Sequence, residues 1–230
     1  DDGNTLFTTD EVSGSYIAAY DVSDLGDINE IDRIRTTPNT GSIVHNVYTV
    51  GNFLVSAYYR DGVTIHDATN PNAMVLVANY DTAPTISGNG FNGCWGVYPY
   101  FPSGLIIASD MEEGLFVLQP TYVQAAYLNG SITDSETGMA IVNATITITE
   151  VPSSNVVTDF SGIYQTGVAA TGSYTITFSA PGYLPVIYTV TLNSGETLSL
   201  NAALVSLPQF NFTGSVVDAE TGTPIPNAII

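Results

Sequence analysis

The chain of 230 residues contains no lysine, one cysteine and one tryptophan, and its only cations are Arg33, Arg35 and Arg60. Against 22 acidic residues these leave a formal net charge of −19. A phosphate backbone is held by lysine and arginine counter-charge that this surface cannot supply, so nucleic-acid binding is excluded. An anionic bilayer would be repelled. With Cys94 alone there is no intrachain disulfide, and the redox compartment stays open. No apolar run approaches the roughly 18 residues of a membrane span, and the opening Asp1-Asp2-Gly3-Asn4 is unlike a signal peptide. Charged residues make up only 11% of the chain against 44% hydrophobic, which implies an extracellular kind of surface made of Thr, Ser, Asn, Gly and Tyr. That apolar content suffices for one or two cores and argues against disorder.

Helical periodicity is missing as well. Apolar residues alternate with polar ones at period two, and glycine-containing turns recur about every ten residues, so the expected fold class is all-β. Two internal repeats divide the chain. The first is a strand, tight turn and strand, in Leu6 to Asp21, Phe53 to Asp67 and Leu105 to Leu118, with turn glycines Gly14, Gly62 and Gly114 spaced by 48 and 52 residues. Two copies continue through a polar turn (Asp21 to Asp24, Asp67 to Pro71) into another strand, expected over Ile28 to Ile34 and Ala73 to Tyr80. The spacing matches a propeller blade of four short strands. Because such a disc closes only with about four to eight blades, residues 1–122 are expected to be the C-terminal blades of a β-propeller whose remainder lies upstream.

The second repeat aligns Gly130–Ile146 with Gly214–Ile230 at an offset of 84 residues, with ten of seventeen positions identical. Between the copies Ile146 and Ile148 share a face, as do Tyr174, Ile176 and Phe178, then Tyr188, Val190 and Leu192, then Leu198, Leu200 and Leu204. About seven short strands over residues 123–208 predict an immunoglobulin-like β-sandwich. Residues 209–230 are expected to begin a second sandwich, cut after two strands, with Val205-Ser-Leu-Pro208 as the linker.

The sandwich segment resembles the carboxypeptidase regulatory-like domain in Gly130 to Gly138, Asn143 to Ile146, Thr158 to Tyr164, Gly172 to Ile176 and Ala180 to Tyr183. The first segment resembles the C-terminal part of the choice-of-anchor B family, built of LVIVD-type repeats. The residues that carry this likeness are Ala19 to Leu25, His45-Asn46, Tyr58 to Asp67, Gly93 to Pro99 and Ala108 to Leu118. Together these resemblances imply an exported or surface protein of a Gram-negative bacterium, often sorted through the type IX system. They imply no established biochemical activity.

Candidate chemistry is sparse. His45, His66 and Cys94 fall short of any zinc spacing, and both imidazoles are expected to bond strand backbone within the blades. No Gly-x-Ser-x-Gly supports a serine triad. Asp110-Met-Glu-Glu113 could suggest a glycosidase or a Ca2+ site, but it falls at the repeat's hairpin turn and is read as solvated. Tyr58, Tyr59, Trp95, Tyr98, Tyr100 and Phe101 are read as packing between blades; the alternative is a sugar-stacking platform at the propeller mouth, with Trp95 or Tyr98 exposed beside carboxylates. Asn129, Asn143 and Asn211 match the eukaryotic N-glycosylation pattern but are discounted for a bacterium, and Asp81-Thr82-Ala83 is a short match to a bacterial O-glycosylation site.

The expectation is therefore a non-enzymatic surface or adhesion protein without catalytic, cofactor or metal residues. Its partners would be extracellular proteins or glycans, or further copies of itself, with no nucleic acid and no membrane insertion. The alternatives are a glycan-binding or hydrolytic propeller and a subunit of an extracellular filament.

Overall fold

A computed structural model describes residues 3–36, 41–208 and 213–228. It is all-β, with several sheets and none closed into a barrel. Strands β1 (Thr5–Thr9), β2 (Ile17–Asp21) and β3 (Asn29–Ile34) form one antiparallel meander. A second meander has four strands, β4 (Val44–Val50), β5 (Phe53–Tyr58), β6 (Gly62–Asp67) and β7 (Val75–Tyr80). The third comprises β8 (Cys94–Tyr98), β9 (Ile106–Asp110) and β10 (Gly114–Leu118). The three repeat glycines occupy the β1–β2, β5–β6 and β9–β10 turns at φ of 68°, 77° and 86°, the left-handed region that glycine enters without a Cβ penalty. Gly62 has a second reason to be glycine, since a Cβ there would lie 2.1 Å from the Tyr80 carbonyl oxygen.

The three meanders pack face to face, with the second in the middle. Leu54 and Tyr58 of β5 meet Ile17 and Ala19 of the first sheet. The alternate residues Val55 and Ala57, with Val63 and Ile65 of β6, meet Cys94, Val97, Ile106 and Ala108 of the third. Burial on both faces explains why β5 carries so little polar alternation. The outer face of the third sheet has no such cover: Leu115 and Val117, at the repeat positions of Val63 and Ile65, are 70% and 58% exposed.

Polar groups interrupt the contact of the first two sheets. Ser56 pairs across the strands with Thr64, and Leu54 with His66. The Ser56 and Thr64 hydroxyls and both His66 ring nitrogens are buried without a partner among the described residues. The expected backbone bond of His66 is thus not made, because its neighbours on this face are side chains and the strand carbonyls are spent on the ladder. Burial pushes the His66 pKa down to about 3.

Two sheets with one shared core follow. In one, β11 (Ala126–Asp134) pairs with β14 (Ile163–Val168) and, in parallel, with β17 (Thr197–Ser199) and β18 (Ala202–Leu204). In the other, β12 (Thr145–Ile148), β13 (Val156–Val157), β15 (Gly172–Ser179) and β16 (Val186–Leu192) run β13-β12-β15-β16. Leu128, Ile132, Ile146, Ile148, Tyr164, Ile176, Phe178 and Leu204 fill the space between them. There are eight strands where about seven were expected, because the last one breaks at Leu200-Asn201. The Leu200 N–H donates to the Asn129 carbonyl (2.8 Å), and the Ser131 N–H to Asn201 Oδ1 (2.8 Å). Leu200 comes so close that a Cβ on Gly130 would lie 2.1 Å from its oxygen.

The DxETG turns of the two repeat copies share their geometry. Asp134 Oδ1 accepts the Glu136 and Thr137 N–H groups and the Thr137 hydroxyl, and Asp218 Oδ1 accepts the same three groups of Glu220 and Thr221. Asn143 and Asn227 both stand at positive φ, 56° and 59°. No strand beyond the single bridge Val217–Pro224 forms in residues 213–228. The expected linker is not free either: the Leu184 N–H donates to Val205 O and the Leu207 N–H to Gly182 O, at 2.9 and 2.7 Å.

The meanders and the sandwich meet at Asp67, which is fully buried. Its Oδ1 accepts the N–H and hydroxyl of Thr69 (2.8 and 2.6 Å), and its Oδ2 accepts the buried N–H of Ala125 (2.7 Å). The Asn70 amide donates to Gln165 Oε1 (2.8 Å), Val75 packs on Ala125 and Tyr127, and a Cβ on Gly167 would sit 2.7 Å from a Val75 methyl.

Two outcomes are expected. Asp67→Ala strips the N–H of Ala125 of its acceptor and should cost about 2–4 kcal/mol, splitting one calorimetric unfolding transition into two. The His66 effect has a definite sign: the unfolded chain takes up a proton near pH 6.5, and the folded one only near 3. Stability should be level above pH 6.5 and fall by up to about 1.4 kcal/mol per unit below it; His66→Leu should remove that part of the slope in urea titrations at stepped pH.

Candidate functional site

The acidic turn is less solvated than expected. Asp110 is buried, its Oδ2 accepting the Thr82 hydroxyl (2.6 Å) and its Oδ1 the N–H groups of Glu112 and Glu113 (3.0 and 2.9 Å). Only Met111, Glu112 and Glu113 reach the surface. Glu112 is also engaged, accepting from the Asn92 amide and the Gly93 N–H at 2.9 and 2.8 Å. Asp110 and Glu112 are thus each spent on a different backbone turn. The same bond corrects the O-glycosylation reading, because the Thr82 hydroxyl is buried and given to Asp110. Asn129 lies within β11, Asn143 in a turn, and Asn211 outside the described residues. Cys94 is buried, which pushes its thiol up to about 12. Among the described residues no three His, Cys, Asp or Glu groups come close enough to hold a metal ion.

The aromatics divide. Tyr58 and Tyr59 are core residues as expected, but Trp95 is 51% exposed and Tyr98 44%, and Tyr100 and Phe101 are exposed too. The packing reading fails for these four: Trp95 is the extra residue at the bulge between Cys94 and Gly96, Tyr98 alternates with the buried Val97, and Tyr100 and Phe101 lie beyond the end of β8. Tyr98 sets edge-to-face contacts with Tyr100 and with Phe101, and Tyr48 joins them through Tyr100.

Trp95 belongs to a separate cluster, where the β1–β2 turn, the start of β4, the β5–β6 turn and the segment before β8 converge. Its indole stacks on His45, with centroids 5.1 Å apart and planes at 28°. His45 is held through side chains and not by the expected strand backbone: Asn46 Nδ2 lies 3.0 Å from its Nδ1, and its Nε2 lies 3.3 Å from Glu11 Oε1. That oxygen also accepts the Tyr59 hydroxyl at 2.8 Å. Burial, and then the bond to Glu11, push the Tyr59 pKa up to about 12, while a hydrogen bond with Trp95 pulls it down. The phenol therefore stays a donor to the carboxylate. Phe91, exposed, sets its ring edge-to-face against Tyr59.

Gly93 places Trp95. At φ 93° it packs so tightly that a Cβ would lie 2.1 Å from the Tyr59 carbonyl oxygen, the atom that accepts the N–H of Cys94 at 2.7 Å. Glu11 and Phe91 were not singled out in the sequence, and Asn46 only as part of a family likeness, since the cluster draws on four segments with no common spacing. The exposed carboxylate and indole can accept hydroxyls and stack on a flat apolar face.

Residues 127–205 match the carboxypeptidase regulatory-like domain family, and this part of the chain is such a domain. No curated protein matches the chain. Among solved structures, it is similar to GBS52, the minor pilin of Streptococcus agalactiae, at 12% identity and TM-score 0.32, covering 51% of this chain and 66% of that one. It is also similar to the Bacillus anthracis TIE protein, at 12% identity and TM-score 0.32, covering 76% of this chain and 42% of that one.

Gly93→Ala should break the contact between Cys94 and Tyr59 and cost about 2–4 kcal/mol. Urea unfolding would measure the loss, and easier acrylamide quenching of the single tryptophan in the folded state would show that Trp95 has moved.

Proposed function

We propose that the chain is part of an exported bacterial surface protein in which a propeller platform, residues 1–122, stands on a stalk of tandem immunoglobulin-like modules and serves adhesion or surface structure without catalysis. The first module would span 123–208 and the second begin at 209. The observation that carries this reading is the repeated module: a carboxypeptidase regulatory-like domain is followed, 84 residues on, by a second turn with the same hydrogen bonds. Three antiparallel meanders stacked face to face are what adjacent blades would look like, and the exposed Leu115 and Val117 are where a further blade would pack. The resemblance of residues 1–122 to the choice-of-anchor B family points the same way and would imply export through the type IX system.

The buried joint at Asp67 would let such a platform be held out stiffly. No helix among the described residues is long and apolar enough to cross a membrane. The high negative charge would keep the surface soluble and self-repelling unless salt screens it, as in seawater.

Electron microscopy of the full-length protein, with protease shaving of intact cells that make it, tests the reading. Discs on thin stalks, removed from cells by external protease, are expected. A particle without a disc, or a protein protected from the protease until the cells are lysed, would overturn it.

A further inference from the structure

Trp95 is held as a shelf. One face of the indole lies on His45, and Tyr59 and His45 both hold Glu11 by the same oxygen, Oε1. Among the described residues nothing bonds Oε2 of that carboxylate, and its side chain is 46% exposed. With His45 against one face, Trp95 is still half-exposed, and the carboxylate joined to His45 and Tyr59 is an acceptor already fixed in the same cluster, where the exposed ring of Phe91 meets Tyr59 edge-to-face.

We propose that this site binds a neutral pyranose unit of a glycan, stacked on the half-exposed indole of Trp95 with its hydroxyls donating to Glu11 Oε2. The assignment names the ligand class of the platform and rests on the adhesion reading. A pyranose ring offers an apolar C–H face and, at its rim, neighbouring hydroxyl donors, the complement of an indole plane flanked by a carboxylate. Both protein groups are immobilised before binding, which lowers the ordering cost of a small ligand. A sugar acid is disfavoured by Glu11. A quaternary ammonium is the other natural guest of aromatic sites, but it wants several ring faces around one point. Here Tyr59 is buried and His45 turns its face to the indole.

The tryptophan reports on its own site, being the only one in the chain. Its fluorescence in the full chain would be titrated with the methyl glycosides of glucose, galactose, mannose and N-acetylglucosamine and with β-1,4-linked oligomers of glucose and N-acetylglucosamine, and in parallel with tetramethylammonium chloride. A saturable change with at least one saccharide is expected, weakened about tenfold or more by Glu11→Gln. Trp95→Ala, followed by calorimetry, should abolish binding of that saccharide, with circular dichroism and the melting midpoint of both variants unchanged. No saturable response to any saccharide, a response to tetramethylammonium instead, or unchanged affinity in Glu11→Gln would each overturn the proposal. Saccharide binding by a protein that stays inside cells would overturn the surface reading and leave this one standing; a surface-exposed disc indifferent to saccharides would do the reverse.

Discussion

A carboxylate sealed from water holds the two halves of this molecule in one arrangement. Asp67 closes its own turn through Thr69 and has one oxygen left, which takes the buried N–H of Ala125. The first use belongs to the repeat, since Asp21 accepts the Ser23 N–H in the same way one copy earlier. The second use is particular to this place. In the third copy, Gln119-Pro120 follows the hairpin where the earlier copies carry the aspartate and its turn, and the chain departs there into the sandwich. Leaving either oxygen empty would strand a buried acceptor or a buried N–H, so the joint is specified as tightly as a core contact.

The same economy runs through the other acids. Asp21, Asp134 and Asp218 are held below the usual carboxylate range by hydrogen bonds from neighbouring N–H and hydroxyl groups. Among the described residues the one ion pair with an arginine joins Arg33 and Glu30. A chain without lysine can carry so many carboxylates because much of their hydrogen-bonding capacity is met by its own turns. The charge that remains faces solvent.

Legibility in the sequence followed the range of the interactions. Gly14, Gly62 and Gly114, the alternation through Tyr174, Ile176 and Phe178, and the DxETG turns are set within a few residues, and strands and hairpins fell where those residues placed them. Strand edges moved by one or two positions, as at Asn29 and Val75, because ladder pairing decides them. The eighth strand was hidden, since Leu200 breaks its strand only on meeting Asn129 across the sheet. The site was the least legible part. Trp95 has the composition of a core residue, and only the bulge at its position and the convergence of four distant segments put it at the surface with Glu11. His66 erred the other way: a polar residue in an apolar strand suggests a partner, and among the described residues the fold brought it none.

The parallel pairing of β11 with β17 and β18 bears on the order in which a sandwich is made. The first strand of the domain has β14 on one edge, but its other edge is completed only when residues 197–204 arrive. The DxETG turns, by contrast, close within five residues and can form as soon as they are synthesised. A nascent domain of this kind therefore carries its turns early and its sheet late, and it stays a threadable chain until its final strand is free to dock.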